Sequence, residues 1–128
     1  MDEPIYNLEI EQQVLGLLIL DSTHGNSREA IDSLDATDFY SKTHGFIFKT
    51  IKSMLERKLE VNLPLLDTEL ENLKFDDVGL IYLAEIMRNA FGISNMASYV
   101  GVIKKCARSR DLVSLLSNTG KMINQNSE

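Results

Sequence analysis

The sequence predicts an all-α fold, a compact bundle of about six helices whose last helix is long. Apolar residues recur at helical rather than strand spacing along most of the chain, which is the primary signal for helices. The 128 residues include only two Pro and seven Gly, too few for a collagen-like, low-complexity or sandwich-like chain. This length is typical of one domain, and a composition that is 44% hydrophobic is ordinary for a globular protein.

The first two helices are predicted from apolar spacing and from residues that can cap a helix. Four apolar residues share one helical face, namely Ile10, Val14, Leu17 and Leu18. They predict a helix from about residue 8 to residue 20, with Asn7 as its N-cap. Residues 22–26 contain a glycine and are predicted to form a loop, after which Ser27 can cap a short second helix.

The third, fourth and fifth helices are predicted in the same way. Thr43 is the candidate N-cap of the third helix and Asn62 that of the fourth. Pro64 then falls in the first turn of the fourth helix, where its missing N–H is tolerated. Residues 74–79 are a connection, and the fifth helix runs from about residue 80 to residue 90. The predicted buried residues are Phe39, Ile47, Ile51, Leu66, Leu70, Leu73 and Leu83, with some combination of Leu80, Tyr82, Ile86 and Met87.

A long sixth helix follows Ser94 or Asn95, either of which can cap it. From residue 95 to residue 123 it would be roughly 43 Å long at about 1.5 Å per residue. A globular core of this size is shorter than that, so the end of the helix should project from the body. Its apolar residues Leu112, Leu115 and Leu116 are then predicted to form part of a protein–protein surface rather than of the core.

The distribution of charge favours protein contacts over nucleic-acid binding. The net charge is −6. Residues 1–96 hold eight Lys and Arg against seventeen Asp and Glu, whereas residues 97–128 hold five against two. Because phosphate affinity depends on clustered cations, we expect no strong DNA binding by this chain, with dissociation constants above about 10⁻⁵ M. An acidic body with a basic final helix is better suited to protein–protein contact.

The sequence offers neither a membrane span nor the features of a signal peptide. The apolar run over residues 14–20 is far shorter than the roughly 20 residues that a spanning helix needs. Acidic residues precede the first basic residue, Arg28, so the basic region of a signal peptide is missing. The single cysteine, Cys106, excludes a disulfide framework. We therefore expect no membrane partner and a cytoplasmic location.

A search for chemistry finds no catalytic constellation. The Gly120-Lys121 pair lacks the other residues of a phosphate-binding loop, so no nucleotide cofactor is expected. His24 and His44 lack a neighbouring His or Cys at metal-ligand spacing; we interpret His24 as an exposed loop residue and His44 as a helix-entry residue packed on its neighbours. Cys106 is interpreted as a small hydrophobe on a helix face rather than as a nucleophile. The sequence predicts no catalytic, cofactor-binding or metal-binding residue.

An ordered set of segments extends along nearly the whole chain. Residues 9–21 read Glu-Ile-Glu-Gln-Gln-Val-Leu-Gly followed by an apolar run that ends in Asp. Further members of the set are Asp38-Phe39-Tyr40, His44, Ile47-Phe48, Gly79, Tyr82-Leu83-Ala84-Glu85, Ser94-Asn95, Tyr99 and Ile103. No single motif among them is specific, but the order and spacing over residues 4–123 are. The set resembles the N-terminal domain of DnaB-type replicative DNA helicases.

The resemblance implies an architecture and an interface. In that family the domain is all-helical, six copies form a collar, and dimers form through a helical hairpin at the domain's end. For this chain it implies a globular body over residues 1–94. Residues 95–128 would then be a long helix that begins the hairpin and leads into the linker region. Two arginines fall near the family's basic stretch, so the candidate interface residues are Leu112, Leu115, Leu116, Arg108 and Arg110.

The resemblance also implies a function in DNA replication. The implied partners are primase, other copies of the helicase and a helicase loader. The ATPase domain of that family follows the N-terminal domain and is absent here, so the chain itself is expected not to be an enzyme and to need no cofactor. The full-length parent is implied to be an ATP-dependent 5'-3' DNA helicase that uses ATP and Mg.

Two other classes of function remain open. One is a stand-alone helical adaptor or loader-like protein that binds primase or helicase; an open reading frame continuing into a phosphate-binding loop would speak against it. The other is an unrelated helical enzyme domain, which a nucleotide or metal found by thermal-shift screening would support.

Overall fold

A computed structural model describes the backbone of residues 4–126 and the side chains of residues 4–117. Within that range the chain forms six α-helices and no strand, which confirms the all-α class. Two short 3₁₀ turns, Ala36–Asp38 and Ile93–Asn95, precede the third and the last helix. The helices are α1 (Leu8–Leu20), α2 (Gly25–Ser33), α3 (Lys42–Glu56), α4 (Leu63–Asn72), α5 (Leu80–Asn89) and α6 (Met96–Asn126).

Helix α1 and helix α4 begin where the sequence predicts. The Asn7 side chain accepts a hydrogen bond from the backbone N–H of Ile10 at 3.1 Å, and α1 ends at Leu20 as expected. Asn62 caps α4 by accepting from the N–H of Leu65 at 2.9 Å, with Pro64 in the first turn. Both caps are short polar side chains that satisfy an otherwise free N–H of the first turn.

Two predicted caps are wrong. Helix α2 begins at Gly25, and its N-cap is His24, whose Nδ1 accepts from the N–H of Asn26 at 3.0 Å. Ser27 lies inside the first turn, fully buried, and its hydroxyl donates to the Asp21 carbonyl at 2.7 Å. The N-cap of α3 is Ser41 rather than Thr43, because the Ser41 hydroxyl already accepts from an N–H of that first turn.

The core surrounds α1, which packs against α3, α5 and α6. The predicted core residues Phe39, Ile47, Ile51 and Leu83 are buried, which confirms that assignment. Leu73 was predicted wrongly: it is 52% exposed, because α4 ends at residue 72 and Leu73 is its C-cap. Of the alternatives on α5, Leu80 is exposed, whereas Ile86 is buried.

The approach of α1 to α5 depends on a glycine. A Cβ built on Gly16 would lie 2.2 Å from the backbone carbonyl oxygen of Ile86, far inside van der Waals contact. The side chain of Gln13 extends this contact at the surface, donating to the Asn89 carbonyl and accepting from the N–H of Phe91, both at 3.1 Å. The two helices are therefore joined through backbone groups as well as through apolar side chains.

The segment before α3 is a tight, self-capped turn. Asp35 and Asp38 form a reciprocal capping box around the 3₁₀ turn of residues 36–38. The hydroxyl and then the backbone N–H of Thr37 donate to Asp35, and these bonds hold the pKa of that carboxyl below its ordinary value. Gly45 of α3 lies against this turn, because a Cβ there would be 2.7 Å from the Ala36 carbonyl oxygen. The 3₁₀ turn therefore packs directly against the start of α3.

Helix α6 begins in the core, and its described side chains beyond Arg110 lie outside it. Five residues of its first half are buried, namely Met96, Val100, Ile103, Cys106 and Ala107. Every residue from Asp111 to Ser117 is exposed. Met96, Val100 and Ile103 belong to the same core cluster as residues of α1 and α2, so the start of α6 packs with the body. The predicted apolar position Ile123 lies outside the described side chains.

Candidate interaction surface

The second half of α6 carries a continuous apolar strip, which we call the α6 strip. Its members are Leu112 at 56% exposed, Val113 at 54%, Leu115 at 62% and Leu116 at 62%. Leu112, Leu115 and Leu116 stand at spacings of three and four residues, so they share one side of the helix. Their exposure confirms the expectation that these leucines lie outside the core of the described chain. Contiguous exposed apolar residues are frequent at interaction sites, so the α6 strip is the candidate interaction surface of the described chain.

The two candidate arginines lie in different surroundings. Arg108 is exposed on α6. Arg110 is half-buried and turned toward the body, where its two terminal nitrogens donate to the carbonyls of Ile5 and Asp38, each at 2.7 Å. Its guanidinium also lies 5.6 Å from the centre of the Tyr40 ring. Arg110 thus fastens the start of the chain and the 3₁₀ turn to α6 just where the helix leaves the body.

A buried polar network lies between α1, α3 and α5, and we call it the Glu11–His44–Tyr82 network. Glu11 is 2% exposed and His44 4% exposed. Nδ1 of His44 is 2.7 Å from a carboxylate oxygen of Glu11, and Nε2 is 2.6 Å from the Tyr82 hydroxyl. The Glu11 carboxylate also accepts from the backbone N–H groups of Tyr40 and Ser41, at 2.7 and 3.4 Å.

A carboxylate, an imidazole and a hydroxyl in this order resemble a catalytic triad. Here, however, each group is hydrogen-bonded to other residues of the chain. The carboxylate is shared between the imidazole and two backbone donors of the α3 entry. The Tyr82 hydroxyl receives a further bond from the side chain of Gln12 at 3.0 Å. In the tautomer with its proton on Nδ1, the His44 ring donates to Glu11 and accepts from the Tyr82 hydroxyl at Nε2. Each of the three side chains then has a hydrogen-bond partner. The arrangement holds three helices in register.

Sequence reasoning missed Glu11 as a buried residue, because an acid in the first turn of a helix is usually a partner of the helix dipole. The signal was present in its spacing. Glu11 precedes the fully buried Val14 and Leu18 by three and seven residues, which places it on the buried face of α1. The interpretation of His44 as a helix-entry residue packed on its neighbours is confirmed.

The remaining chemically distinctive residues have structural surroundings. His24 is exposed and caps α2, as described above. Cys106 is a free thiol, 6% exposed on the core side of α6, which confirms its interpretation as a buried residue of a helix face. No cluster of three or more His, Cys, Asp or Glu side chains suited to a metal occurs among residues whose placement is described. None of the helices, over the same part of the chain, is long and apolar enough to cross a membrane.

Comparison with solved structures supports the fold. The chain superposes on the crystal structure of the N-terminal domain of DnaB helicase from Mycobacterium tuberculosis with a TM-score of 0.88. The superposition covers 98% of this chain and 90% of that chain at 21% sequence identity. At this identity the match shows a shared fold.

Comparison of sequences gives the family. The chain is 34% identical over 120 residues to the replicative DNA helicase DnaB of Pasteurella multocida and 29% identical over 126 residues to that of Haemophilus influenzae. These matches cover 92% and 97% of this chain but only 25% and 26% of the relatives, so it spans about a quarter of their length. The model of the DnaB-like helicase N-terminal domain matches residues 3–105. The chain therefore belongs to the family of DnaB-like helicase N-terminal domains.

Proposed function

We propose that the chain is the N-terminal collar and protein-interaction domain of a hexameric replicative DNA helicase. In this role it contributes to oligomerisation and to the recruitment of primase, with a helicase loader as a further partner. The protein acts in the cytoplasm. The full-length protein is an ATP-dependent 5'-3' DNA helicase whose ATP and Mg are bound outside this chain. The observation that carries the proposal is the α6 strip, an exposed apolar surface on a part of α6 that does not pack in the core of the described chain.

The α6 strip has the composition expected of a helix–helix contact. Exposed leucines at spacings of three and four residues form the ridge that packs into the groove of another helix. Burying such side chains yields about 25 cal/mol per Å² of apolar surface removed from water. The second helix of a hairpin, or the equivalent helix of another copy, would supply the missing apolar partner. We therefore assign α6 as the first helix of the hairpin.

The surroundings of the strip support the same assignment. Arg108 is exposed one turn before Leu112 and supplies the polar rim that surrounds an apolar interface. Arg110 is engaged with the body through the carbonyls of Ile5 and Asp38. Its role is then to hold α6 at a fixed angle to the globular part, so that the strip is presented in one orientation.

The test uses the full-length parent with the pair Leu112→Asp and Leu116→Asp. The matched control is Leu65→Asp with Leu73→Asp, a pair of leucines on and just after α4 that are 44% and 52% exposed. Sedimentation velocity should show hexamers for the parent and the control pair, and smaller species for the α6 pair. Primase from the same organism should co-sediment with the parent and the control and be lost from the α6 pair.

The outcomes show whether the α6 strip is an interface and, if so, for which partner. If the α6 pair still forms hexamers and still binds primase, the strip is not the interface and the proposal fails. If hexamers persist while primase is lost, the strip recruits the partner without assembling the collar. The 128-residue chain carrying the same pair should keep its circular-dichroism melt, because the two leucines contribute little to its own core. Unfolding of that chain would show that they do.

A further inference from the structure

A pocket of about 370 Å³ opens between the 3₁₀ turn and α3, and the leucines of the α6 strip are not among its lining residues. Apolar and aromatic side chains line most of the pocket, and two lysines of α3 lie at its edge. Its lining includes Ala36, Phe39, Tyr40, Lys42, Phe46 and Lys49. We call it the Phe46 pocket. Its volume lies at the lower end of the roughly 300–1,000 Å³ typical of ligand pockets.

The walls of the Phe46 pocket are held in place by contacts outside it. The ring of Phe46 stacks on that of Phe75, with centroids 4.2 Å apart and planes 15° apart. The ring of Tyr40 stacks on that of Tyr6 at 4.5 Å, and its backbone N–H donates to the buried carboxylate of Glu11. Stacked rings at these distances are a favourable aromatic geometry. The pocket is therefore preformed, and an occupant would not have to order its walls.

The charge at the rim is opposite to that of the body. Lys42 and Lys49 are both exposed and are seven residues apart, which places them on the same side of α3. Neither has an ion-pair or hydrogen-bond partner among the side chains of residues 4–117. Yet residues 1–96 carry seventeen acidic against eight basic side chains. These two lysines, with the Arg110 guanidinium 5.6 Å from the Tyr40 ring, favour a ligand that is both acidic and apolar.

We propose that the Phe46 pocket binds an acidic peptide segment that carries one aromatic side chain. The aromatic ring enters the pocket against Phe46 and Tyr40, and carboxylates on either side of it pair with Lys42 and Lys49. The rim gives specificity and a faster encounter through complementary charge, while the ring supplies the buried apolar area. A nucleic acid is disfavoured, because two cations neutralise few phosphates and the acidic body repels a longer polyanion. This inference is independent of the role of the α6 strip.

The experiment measures fluorescence anisotropy of the 128-residue chain with the labelled peptide Ser-Asp-Glu-Phe-Glu-Asp-Ser. The test variant is Lys42→Glu with Lys49→Glu, and a milder form is Lys42→Gln with Lys49→Gln. The control is Arg28→Glu with Arg88→Glu, which changes the net charge by the same amount at two exposed sites away from the pocket. The charge reversal should weaken binding at least about tenfold, the glutamine pair several-fold, and the control pair by less than about twofold.

Two further arms test the parts of the proposal separately. The peptide with Ser in place of Phe should bind at least about tenfold more weakly, because the ring supplies the apolar contact. A single-stranded thymidine oligonucleotide of similar charge should not compete with the labelled peptide. Equal affinity for the Ser peptide, equal loss with the Arg28 and Arg88 pair, or full competition by the oligonucleotide would each overturn the proposal. Circular-dichroism melts that match the parent show that the variants are folded.

Discussion

Two parts of α6 within the described side chains, residues 96–107 and residues 111–117, which we call its first and second halves, have similar apolar spacing and opposite surroundings. In the first half, Met96, Val100 and Ile103 are at most 9% exposed and belong to the core cluster. In the second half, Leu112, Leu115 and Leu116 are all at least 56% exposed. The spacing of apolar residues therefore determines that both halves are helical and amphipathic. Whether the apolar face of a helix is buried depends on which other elements lie against it. Among residues 4–117, no element covers the leucines of the second half.

The difference also shows which half contributes to the stability of this chain. Apolar side chains stabilise a fold in proportion to the surface they remove from water. The first half supplies that burial, whereas the leucines of the second half keep most of their surface exposed. Buried and exposed apolar side chains are thus separated along one continuous helix, and substitutions in the two parts should have different effects on the stability of the chain.

The largest expected effect is in the first half, with Ile103→Ala. Ile103 is 2% exposed, and removing a buried side chain of this size costs about 2–5 kcal/mol through lost transfer energy and a residual cavity. Leu115→Ala is the matched control, and should change the free energy of unfolding by less than about 0.5 kcal/mol. Urea unfolding of the 128-residue chain measures both. Equal losses from the two substitutions would abolish the distinction between the halves.

A smaller loss in the free energy of unfolding is expected for Glu11→Gln. This variant tests how much the Glu11–His44–Tyr82 network stabilises the globular body. The Glu11 carboxylate accepts hydrogen bonds from two backbone N–H groups and from His44. In the Gln variant, one of the two oxygens becomes an NH₂ group, which is a donor and cannot accept from them. A buried donor left without an acceptor costs about 1–3 kcal/mol. Glu9→Gln is the control, because Glu9 is exposed on the same turn. A Glu11→Gln chain as stable as the control would show that the network contributes nothing.

The sequence predicts those features that depend on neighbouring residues. Asn7 and Asn62 cap their helices as expected, since an Asn cap acts on an N–H three residues away. The exposure of Leu112 and Leu116 was also predictable, because it follows from helix length alone. Leu73 was placed in the core because its spacing continues that of Leu70, although α4 ends before it.

Other features depend on contacts between distant parts of the chain, which spacing does not report. The partners of Glu11 come from α3 and from the segment before it, about thirty residues away. The Phe46 pocket exists because Phe75 and Tyr6 support its rings from two other segments. Arg110 looked equivalent to Arg108 in the sequence, yet its partner Ile5 is 105 residues distant. Each of these required knowledge of the tertiary fold.

The smallest expected effect is at the junction of the two halves, with Arg110→Ala. Its guanidinium donates to two backbone carbonyls at 2.7 Å, and hydrogen bonds from charged groups contribute about 1.5–3 kcal/mol when buried. Because Arg110 is only half-buried, we expect a loss of about 1 kcal/mol in the free energy of unfolding.

Two variants distinguish a fastening role for Arg110 from a general effect of charge. Arg110→Lys keeps the charge but lacks the planar fork that reaches both carbonyls, so most of the loss should remain. Arg108→Ala removes an exposed charge nearby and should leave stability unchanged. NMR should show the signals of Tyr6 and Tyr40 shifting in both Arg110 variants and not in Arg108→Ala, because the rings lie beside the lost contact. Full recovery by Arg110→Lys would mean that charge alone holds the junction, and that the angle of α6 is not set by the two hydrogen bonds.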